Sequence, residues 1–417
     1  MQYGCIGEHL SHSFSKEIHA QLQDYPYVLK EIPMGQLDAF MQARDFQAIN
    51  VTIPYKQDVI PHLAHVEETA IAIGAVNTIV NRNGALYGYN TDFGGMADLI
   101  RRAGIDLKDK KVLILGTGGT SKTAMAVAEH MGASCVWKVS RSAKPGVLTY
   151  EDVKASHLDA QVLINTTPLG MYSRESGMAV DPAWFPDLQG AVDAVYNPLR
   201  TEFILKARSM GVPATGGLYM LVRQAVLASE IFLDIQYPDA ITENVYRKIK
   251  ASKENIVLTG MPGSGKTTVG KLLAEALGRP YLDTDALIEE KTGMTPAQII
   301  REQGEPAFRD VETQVIREVA FRTGIVLATG GGAVLRRENV ELLRMNGKIF
   351  FLDRPVEQLI PTEDRPLSAT REAIMKRYEE RYPTYKATAD AVIDNSGTAD
   401  AAVELVKRSF FDECSGD

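Results

Sequence analysis

The sequence predicts an α/β protein with two separate nucleotide-binding halves, and three observations carry that expectation. The apolar run KVLIL, Lys111 to Leu115, leads into the glycine turn GTGGTS, Gly116 to Ser121, which opens a helix-like stretch. A second apolar run, NIVLTG from Asn255, leads into GMPGSGKT, Gly260 to Thr267, again followed by helical composition. At 417 residues the chain exceeds the roughly 250 to 300 residues that one core supports, so two or three domains are expected.

Taken in order, residues 1 to 92 carry short strands of their own, among them AINVTIP and AVNTIV. KVLIL, the glycine turn, TSKTAMAVAEHMGA and CVWKVS then make a β-turn-α-β unit. VLINT from Val162 and AVDAV from Ala191 read as further parallel strands, buried on both faces, so the middle of the chain is doubly wound. GLYMLVRQAVLASEIFL reads as one helix that returns to the first domain, and the polar stretch 238–252 as a linker. After Lys266, residues Val269, Leu272, Leu273, Ala276 and Leu277 fall on one helical face. A later strand, GIVLAT, runs into Gly330, Gly331 and Gly332.

Composition narrows the function classes. Apolar residues make up 45% and charged residues 24%, as in ordinary globular protein. A formal net charge of −8 gives no general attraction to nucleic acid or anionic membrane, so neither is expected as a partner, and anionic ligands must be held by local cations. Cys5, Cys135 and Cys414 are scattered and odd in number, which argues against a disulfide framework. The N-terminus lacks a basic segment followed by an apolar one, and a cytoplasmic location is expected. Oligomeric state is left open. His9, His12 and His19 lack the partners of a zinc set, and Met210 and Met220 read as packing residues.

GMPGSGKT fits GxxxxGK[ST]: the backbone of Gly263, Ser264 and Gly265 would wrap phosphates, Lys266 would reach the terminal phosphates, and Thr267, with Thr268 beside it, would face Mg²⁺. In YLDTD, Asp283 and Asp285 follow a strand at period two. One would orient Mg²⁺ through water and the other hold or deprotonate an acceptor hydroxyl; the alternative, that Asp-Thr-Asp merely caps the next helix, stays open. In GTGGTS the third position is Ser121, not Gly. About 20 residues on, where an acidic side chain would select NAD, stand Ser140, Arg141 and Ser142 with Lys144 close by, a pocket that suits the 2′-phosphate of NADP.

Further motifs extend both halves. GEPAFR (Gly304 to Arg309), ATGGG (Ala328 to Gly332), DRPL (Asp364 to Leu367) and RYPTY (Arg381 to Tyr385) resemble shikimate kinase over most of residues 254 to 395. That resemblance implies that Asp285, Arg309, Gly331 and Arg381 hold shikimate, that Arg365 reaches the ATP phosphates, and that Lys266 and Asp285 take part in transfer. Pro361 stands where the family usually has an arginine that packs on adenine. HSFS (His12 to Ser15), NVTIPYK (Asn50 to Lys56), GAVNT (Gly74 to Thr78), NTD (Asn90 to Asp92), NTTPLG (Asn165 to Gly170) and GLYMLVRQ (Gly217 to Gln224) resemble shikimate dehydrogenase over residues 1 to about 237. By that resemblance Ser13, Ser15, Thr52, Asn77, Asp92, Tyr196 and Gln224 bind substrate, and Gly116, Thr117, Gly118, Gly119, Thr120 and Gly217 lie on NADP. Lys56 and Asp92 form the proton-transfer pair, as they would in a quinate dehydrogenase of the same fold.

The expected architecture is therefore α/β: a shikimate-dehydrogenase-like substrate domain of residues 1–92 with 217–237, a Rossmann domain of 93–216, the linker, and a P-loop small-kinase domain of 253–417 with a parallel sheet. The expected function is NADPH-dependent reduction of 3-dehydroshikimate followed by Mg-ATP-dependent phosphorylation of shikimate.

Overall fold

The computed structural model describes residues 1–10, 13–172, 177–359 and 370–413. The chain divides into two compact units, Met1–Ile249 and Lys250–Asp417. No helix of the described residues is long and apolar enough to cross a membrane.

The first unit opens with β1 (Tyr3–Gly7), α1 (Ser15–Leu22), β2 (Tyr27–Glu31), α2 (Leu37–Ala43), β3 (Ala48–Val51), β4 (His65–Val66), α3 (Glu68–Ile73), β5 (Thr78–Arg82), β6 (Ala85–Tyr89) and α4 (Thr91–Arg102). Its six strands form one sheet in the order β2-β1-β3-β5-β6-β4. β1 runs parallel to β2 and β3, whereas β5 runs antiparallel to both β3 and β6. This mixed sheet places the end of β3, the start of β5 and the start of α4 together, which is where the candidate catalytic residues lie.

The second layer system follows with β7 (Lys111–Leu115), α5 (Gly119–His130), β8 (Cys135–Ser140), β9 (Leu148–Thr149), α6 (Tyr150–Ser156), β10 (Val162–Asn165), β11 (Gly190–Asp193), α7 (Glu202–Ser209), β12 (Ala214–Thr215), α8 (Leu218–Leu233) and α9 (Ile241–Lys253). Its strands order as β12-β11-β10-β7-β8-β9, with parallel pairing throughout. β7 explains why KVLIL reads as apolar on both sides: Val112 and Ile114 pack with Ala124, Val127 and Ala128 of α5, while Leu113 and Leu115 join a second cluster around Phe185 and Phe203. α8 does return to the first sheet system, where Val222, Ala225 and Val226 pack on Phe14, Ile18 and Leu22.

Two expectations are corrected here. The stretch 238–252 is not an extended linker: α9 occupies most of it, and Val245 and Ile249 enter the same buried cluster as α1 and α8. The apolar i, i+4 spacing of Val245 and Ile249 outweighs the polar composition of the other face. Met210 is not a packing residue, being 40% exposed, whereas Met220 is buried.

The second unit contains β13 (Asn255–Thr259), α10 (Lys266–Leu277), β14 (Tyr281–Asp283), α11 (Thr284–Thr292), α12 (Pro296–Gln303), α13 (Glu305–Val319), β15 (Val326–Ala328), α14 (Arg337–Asn346), β16 (Gly347–Asp353), α15 (Arg371–Thr388), β17 (Ala391–Asp394) and α16 (Ala399–Glu413). The sheet is parallel with the order β14-β15-β13-β16-β17, so the P-loop strand is central. On α10, Val269 and Leu273 are buried as expected, but Ala276 is exposed and Ala274 is buried in its place. Leu272 and Leu277 pack against the same cluster as Ile256 and Leu258, so of the five expected positions only Ala276 lies off the buried strip.

Candidate active sites

In the first unit the Lys56–Asp92 pair is set by two local structures. Asn90 caps α4 by accepting a hydrogen bond from the Phe93 amide at 3.2 Å, which leaves Asp92 in the first helical turn, where the helix dipole favours a carboxylate. The Val76 amide donates to the Lys56 carbonyl at 2.8 Å and fixes the backbone from which Lys56 projects. Lys56 Nζ then meets Asp92 Oδ2 at 2.6 Å, with both side chains largely withdrawn from solvent.

An amide-hydroxyl frame borders this pair. Asn77 Nδ2 donates to Thr91 Oγ1 at 3.0 Å and to Gln224 Oε1 at 3.4 Å, and the Thr91 amide donates to Asn77 Oδ1 at 2.8 Å. Asn77 and Gln224 therefore meet directly, and Thr91, which precedes Asp92 in the chain, joins them. Ser13 and Ser15 pair with each other, Oγ to Oγ at 3.1 Å, and the Tyr196 ring packs on Phe14 with centroids 5.2 Å apart. Thr52 packs its methyl beside Gly7 rather than joining the Asn77 frame.

The glycine turn has the shape of an anion cradle. Gly116 has φ +114°, and a Cβ there would meet Thr166 Oγ1 at 2.7 Å. A Cβ at Gly118 would meet nothing within 4 Å, so the turn is open to a ligand, and α5 begins without a side-chain cap on its first amides. Ser121 is tolerated at the third motif position because it is fully buried with its Oγ donating to the Gly118 carbonyl at 2.6 Å. A Cβ at Gly119 would lie 3.9 Å from Lys56 Cδ, which places the turn beside Lys56. Lys144 reaches the turn, Nζ to Thr117 Oγ1 at 3.3 Å; Arg141, Ser142 and Lys144 itself are all exposed. Gly217 is required by close backbone approach, since a Cβ would overlap the Ala194 carbonyl. These features fit a dinucleotide with a charged ribose substituent.

Sequence reasoning missed the clamp behind this site. Asp193, fully buried, accepts from Asn165 Nδ2 at 3.0 Å, the Val195 amide at 2.9 Å and Thr201 Oγ1 at 2.6 Å. Burial pushes its carboxyl up to about 7 against the pull of those three donors. Asn165 Oδ1 in turn accepts from the Thr167 amide and hydroxyl, so the clamp holds the start of NTTPLG. Strand-end position was the available signal.

In the second unit Gly260, Gly263 and Gly265 have φ of +143°, +81° and +90°, the left-handed values that favour glycine. Lys266 Nζ donates to the Gly260 and Met261 carbonyls at 3.0 and 2.9 Å, folded over the loop that it would share with phosphates. Thr267 Oγ1 donates to Asp283 Oδ2 at 3.2 Å, so a hydroxyl and a carboxylate suited to Mg²⁺ are adjacent. The donor set fits the ion. The period-two reading of the aspartates is corrected: β14 ends at Asp283, whose Oδ1 caps α11 by accepting from the Asp285 amide at 3.0 Å, and Asp285 is helical. The two carboxylate oxygens of Asp283 serve different donors, Oδ1 the Asp285 amide and Oδ2 the Thr267 and Tyr281 hydroxyls.

Asp285 nevertheless faces the triple glycine. A Cβ at Gly330 would lie 2.9 Å from Asp285 Oδ1, and a Cβ at Gly332 would overlap the Arg309 guanidinium. Gly331 O accepts from Arg381 Nη1 at 3.2 Å and from the Tyr385 hydroxyl. Asp285, Arg309, Gly331 and Arg381 thus surround one space. Arg309 is engaged there by Glu312 at 2.7 Å and Glu305 at 2.9 Å. Glu312, overlooked in the sequence though it stands i+3 from Arg309 on α13, is fully buried; burial raises its carboxyl, with Arg309 opposing. Arg365 and Pro361 lie outside the described residues.

Known proteins fall on the same division. Residues 5–79 match the family model for the shikimate dehydrogenase substrate binding domain, and residues 262–410 the model for shikimate kinase. A shikimate dehydrogenase (NADP(+)) of Clostridium beijerinckii is 35% identical over 261 residues, which cover 58% of this chain and 96% of that protein. A shikimate kinase of Clostridium botulinum is 41% identical over 160 residues, 37% of this chain and 96% of that protein. The crystal structure of shikimate dehydrogenase 1 from Peptoclostridium difficile superimposes with a TM-score of 0.55 at 34% identity, covering 60% of this chain and 98% of that one.

Proposed function

The chain belongs to the shikimate dehydrogenase family over its first unit and to the shikimate kinase family over its second, and from that premise we propose how its own residues carry two successive steps on one ring. The first is reduction of the 3-dehydroshikimate ketone with NADPH; the second is phosphorylation of the shikimate 3-hydroxyl with ATP. The observation that carries the reading is the Lys56–Asp92 pair at 2.6 Å, lying against Gly119 of the nucleotide turn. A proton donor and a hydride-donor cradle share one site.

When bound, NADPH supplies the hydride and ATP the phosphoryl group. In the first unit Lys56 Nζ gives its proton to the ketone oxygen as negative charge develops there, and Asp92 holds the ammonium in place. Asn77 and Gln224 orient the ring hydroxyls, and Lys144 and Arg141 favour the extra phosphate of NADP over NAD.

In the second unit Lys266 exchanges the Gly260 and Met261 carbonyls for phosphate oxygens. Thr267 would hold Mg²⁺ directly and Asp283 through water, where the ion would offset charge on the phosphates. Asp285 accepts the proton of the acceptor hydroxyl. Arg381 and Arg309 position the ring carboxylate, with Glu305 giving up its share of Arg309.

The test uses the purified full chain with 3-dehydroshikimate, NADPH, ATP and Mg²⁺. NADPH absorbance should fall and mass spectrometry should detect shikimate 3-phosphate. Chelation of Mg²⁺ should stop the phosphate ester and leave NADPH oxidation unchanged. Faster turnover of quinate than of shikimate in the reverse, oxidative direction would overturn the substrate assignment for the first unit.

A further inference from the structure

We propose that Arg354 is a nucleotide-phosphate ligand of the second unit, approaching the P-loop from the side opposite the acceptor. The sheet order gives the two sides. β14 and β15 flank the P-loop strand β13 on one side and end at Asp283 and before Gly330 to Gly332, the acceptor residues. β16 and β17 flank it on the other, and because the sheet is parallel their carboxyl ends open on the same edge. The residues that follow those ends are Arg354 and Asn395.

Both side chains reach Gly265, the last glycine of the loop. Asn395 Nδ2 donates to the Ser264 carbonyl at 2.5 Å and would lie 3.5 Å from a Cβ at Gly265; Arg354 Nη1 would lie 3.9 Å from the same point. Gly265 leads into α10, whose first amides have no side-chain cap and face the phosphate position. Asn395 has a partner and so braces the loop. Arg354 does not: its Nε is buried without a hydrogen-bond acceptor, and among the described residues it forms no ion pair. The neighbouring Asp353 carboxylate is engaged by the Tyr378 hydroxyl at 3.0 Å.

A guanidinium stays charged at any ordinary pH, and leaving its buried Nε donor unmet is unfavourable. An anion in the P-loop supplies the missing charge and acceptors. Lys266 then approaches the phosphates from within the loop and Arg354 from outside it, a division of labour that suits a point charge and a planar fork. This inference rests on the reading of the second unit as ATP-dependent, and the experiment separates the two.

Titration calorimetry on the full chain measures ADP and adenosine binding for the parent protein, Arg354→Ala, Arg354→Gln and Arg354→Lys, with thermal melting alongside. Loss of one charge-assisted contact should weaken ADP about 10- to 100-fold in the Ala and Gln variants and leave adenosine unchanged. Lys should recover part of the loss. ADP affinity within twofold of the parent in a normally melting Gln variant would overturn the inference, as would equal losses for ADP and adenosine, which would place the side chain on the base. Failure of the parent protein itself to bind ADP would instead overturn the ATP reading.

Discussion

Lys56 and Lys266 are both lysines, yet their surroundings give them different work. Lys56 faces a single carboxylate at 2.6 Å, which fixes its ammonium in place, whereas Lys266 faces two P-loop carbonyls that phosphate oxygens would replace. Lys56→Ala should therefore lower ketone reduction by about 10²-fold or more and leave phosphoryl transfer near normal. Lys266→Ala should do the reverse; NADPH absorbance and a coupled ADP assay read the two activities in one preparation. Arg141→Ala should raise the KM for NADP much more than that for NAD if, as proposed, the exposed guanidinium serves the extra phosphate. Equal effects on the two cofactors would remove Arg141 from that role and leave Lys144, which already touches Thr117, as the cation of the pocket.

At the scale of an element, α1 shows how a helix is secured from within the core. His19 is fully buried, stacked on Tyr27 with centroids 3.8 Å apart, and its Nδ1 lies 2.5 Å from the Tyr25 hydroxyl. Burial lowers its pKa from 6.5 to about 3. Since the folded pKa is the lower one, the stability it supports is present above the unfolded value and is lost as pH falls from 6.5 toward 3. One such group predicts a loss of about 2 kcal/mol between pH 7 and pH 5. Both tryptophans, Trp137 and Trp184, lie in the first unit, so urea unfolding followed by tryptophan fluorescence reads that unit. In His19→Gln the difference between the two pH values should shrink by that amount, and an unchanged difference would show that His19 is not the titrating group.

For the whole molecule, each unit has its own sheets and its own buried clusters. Fragments 1–249 and 250–417 are expected to fold separately and keep most of their own activity. The first must retain Val245 and Ile249, which belong to its core although their stretch reads as polar in sequence. Expression of each fragment, with circular dichroism and its half-reaction, checks this; an insoluble first fragment would mean that α9 cannot be divided. Comparing the lag before shikimate 3-phosphate appears in the intact chain and in mixed fragments tests whether tethering raises local shikimate concentration.

Much of this protein is written locally. KVLIL, CVWKVS and NIVLTG appear as strands β7, β8 and β13 because a strand buried on both faces is apolar at every position, and the two glycine turns announce themselves because left-handed φ values favour glycine. What the sequence could not decide was where a strand stops and what meets at its end. Asp283 and Asp285 read as following a strand at period two with helix capping as the open alternative; β14 ends at Asp283, which caps α11, and Asp285 is helical. Asp193 with Asn165, Arg309 with Glu312 and the triple glycine, and Arg354 with Asn395 are each assembled from separate elements. Sequence by itself determined the strands, the phosphate turns and the residue types needed for both reactions, since each depends on a few neighbouring residues. Tertiary structure alone decided the pairings, because a parallel sheet brings together strand ends that are tens of residues apart in the chain.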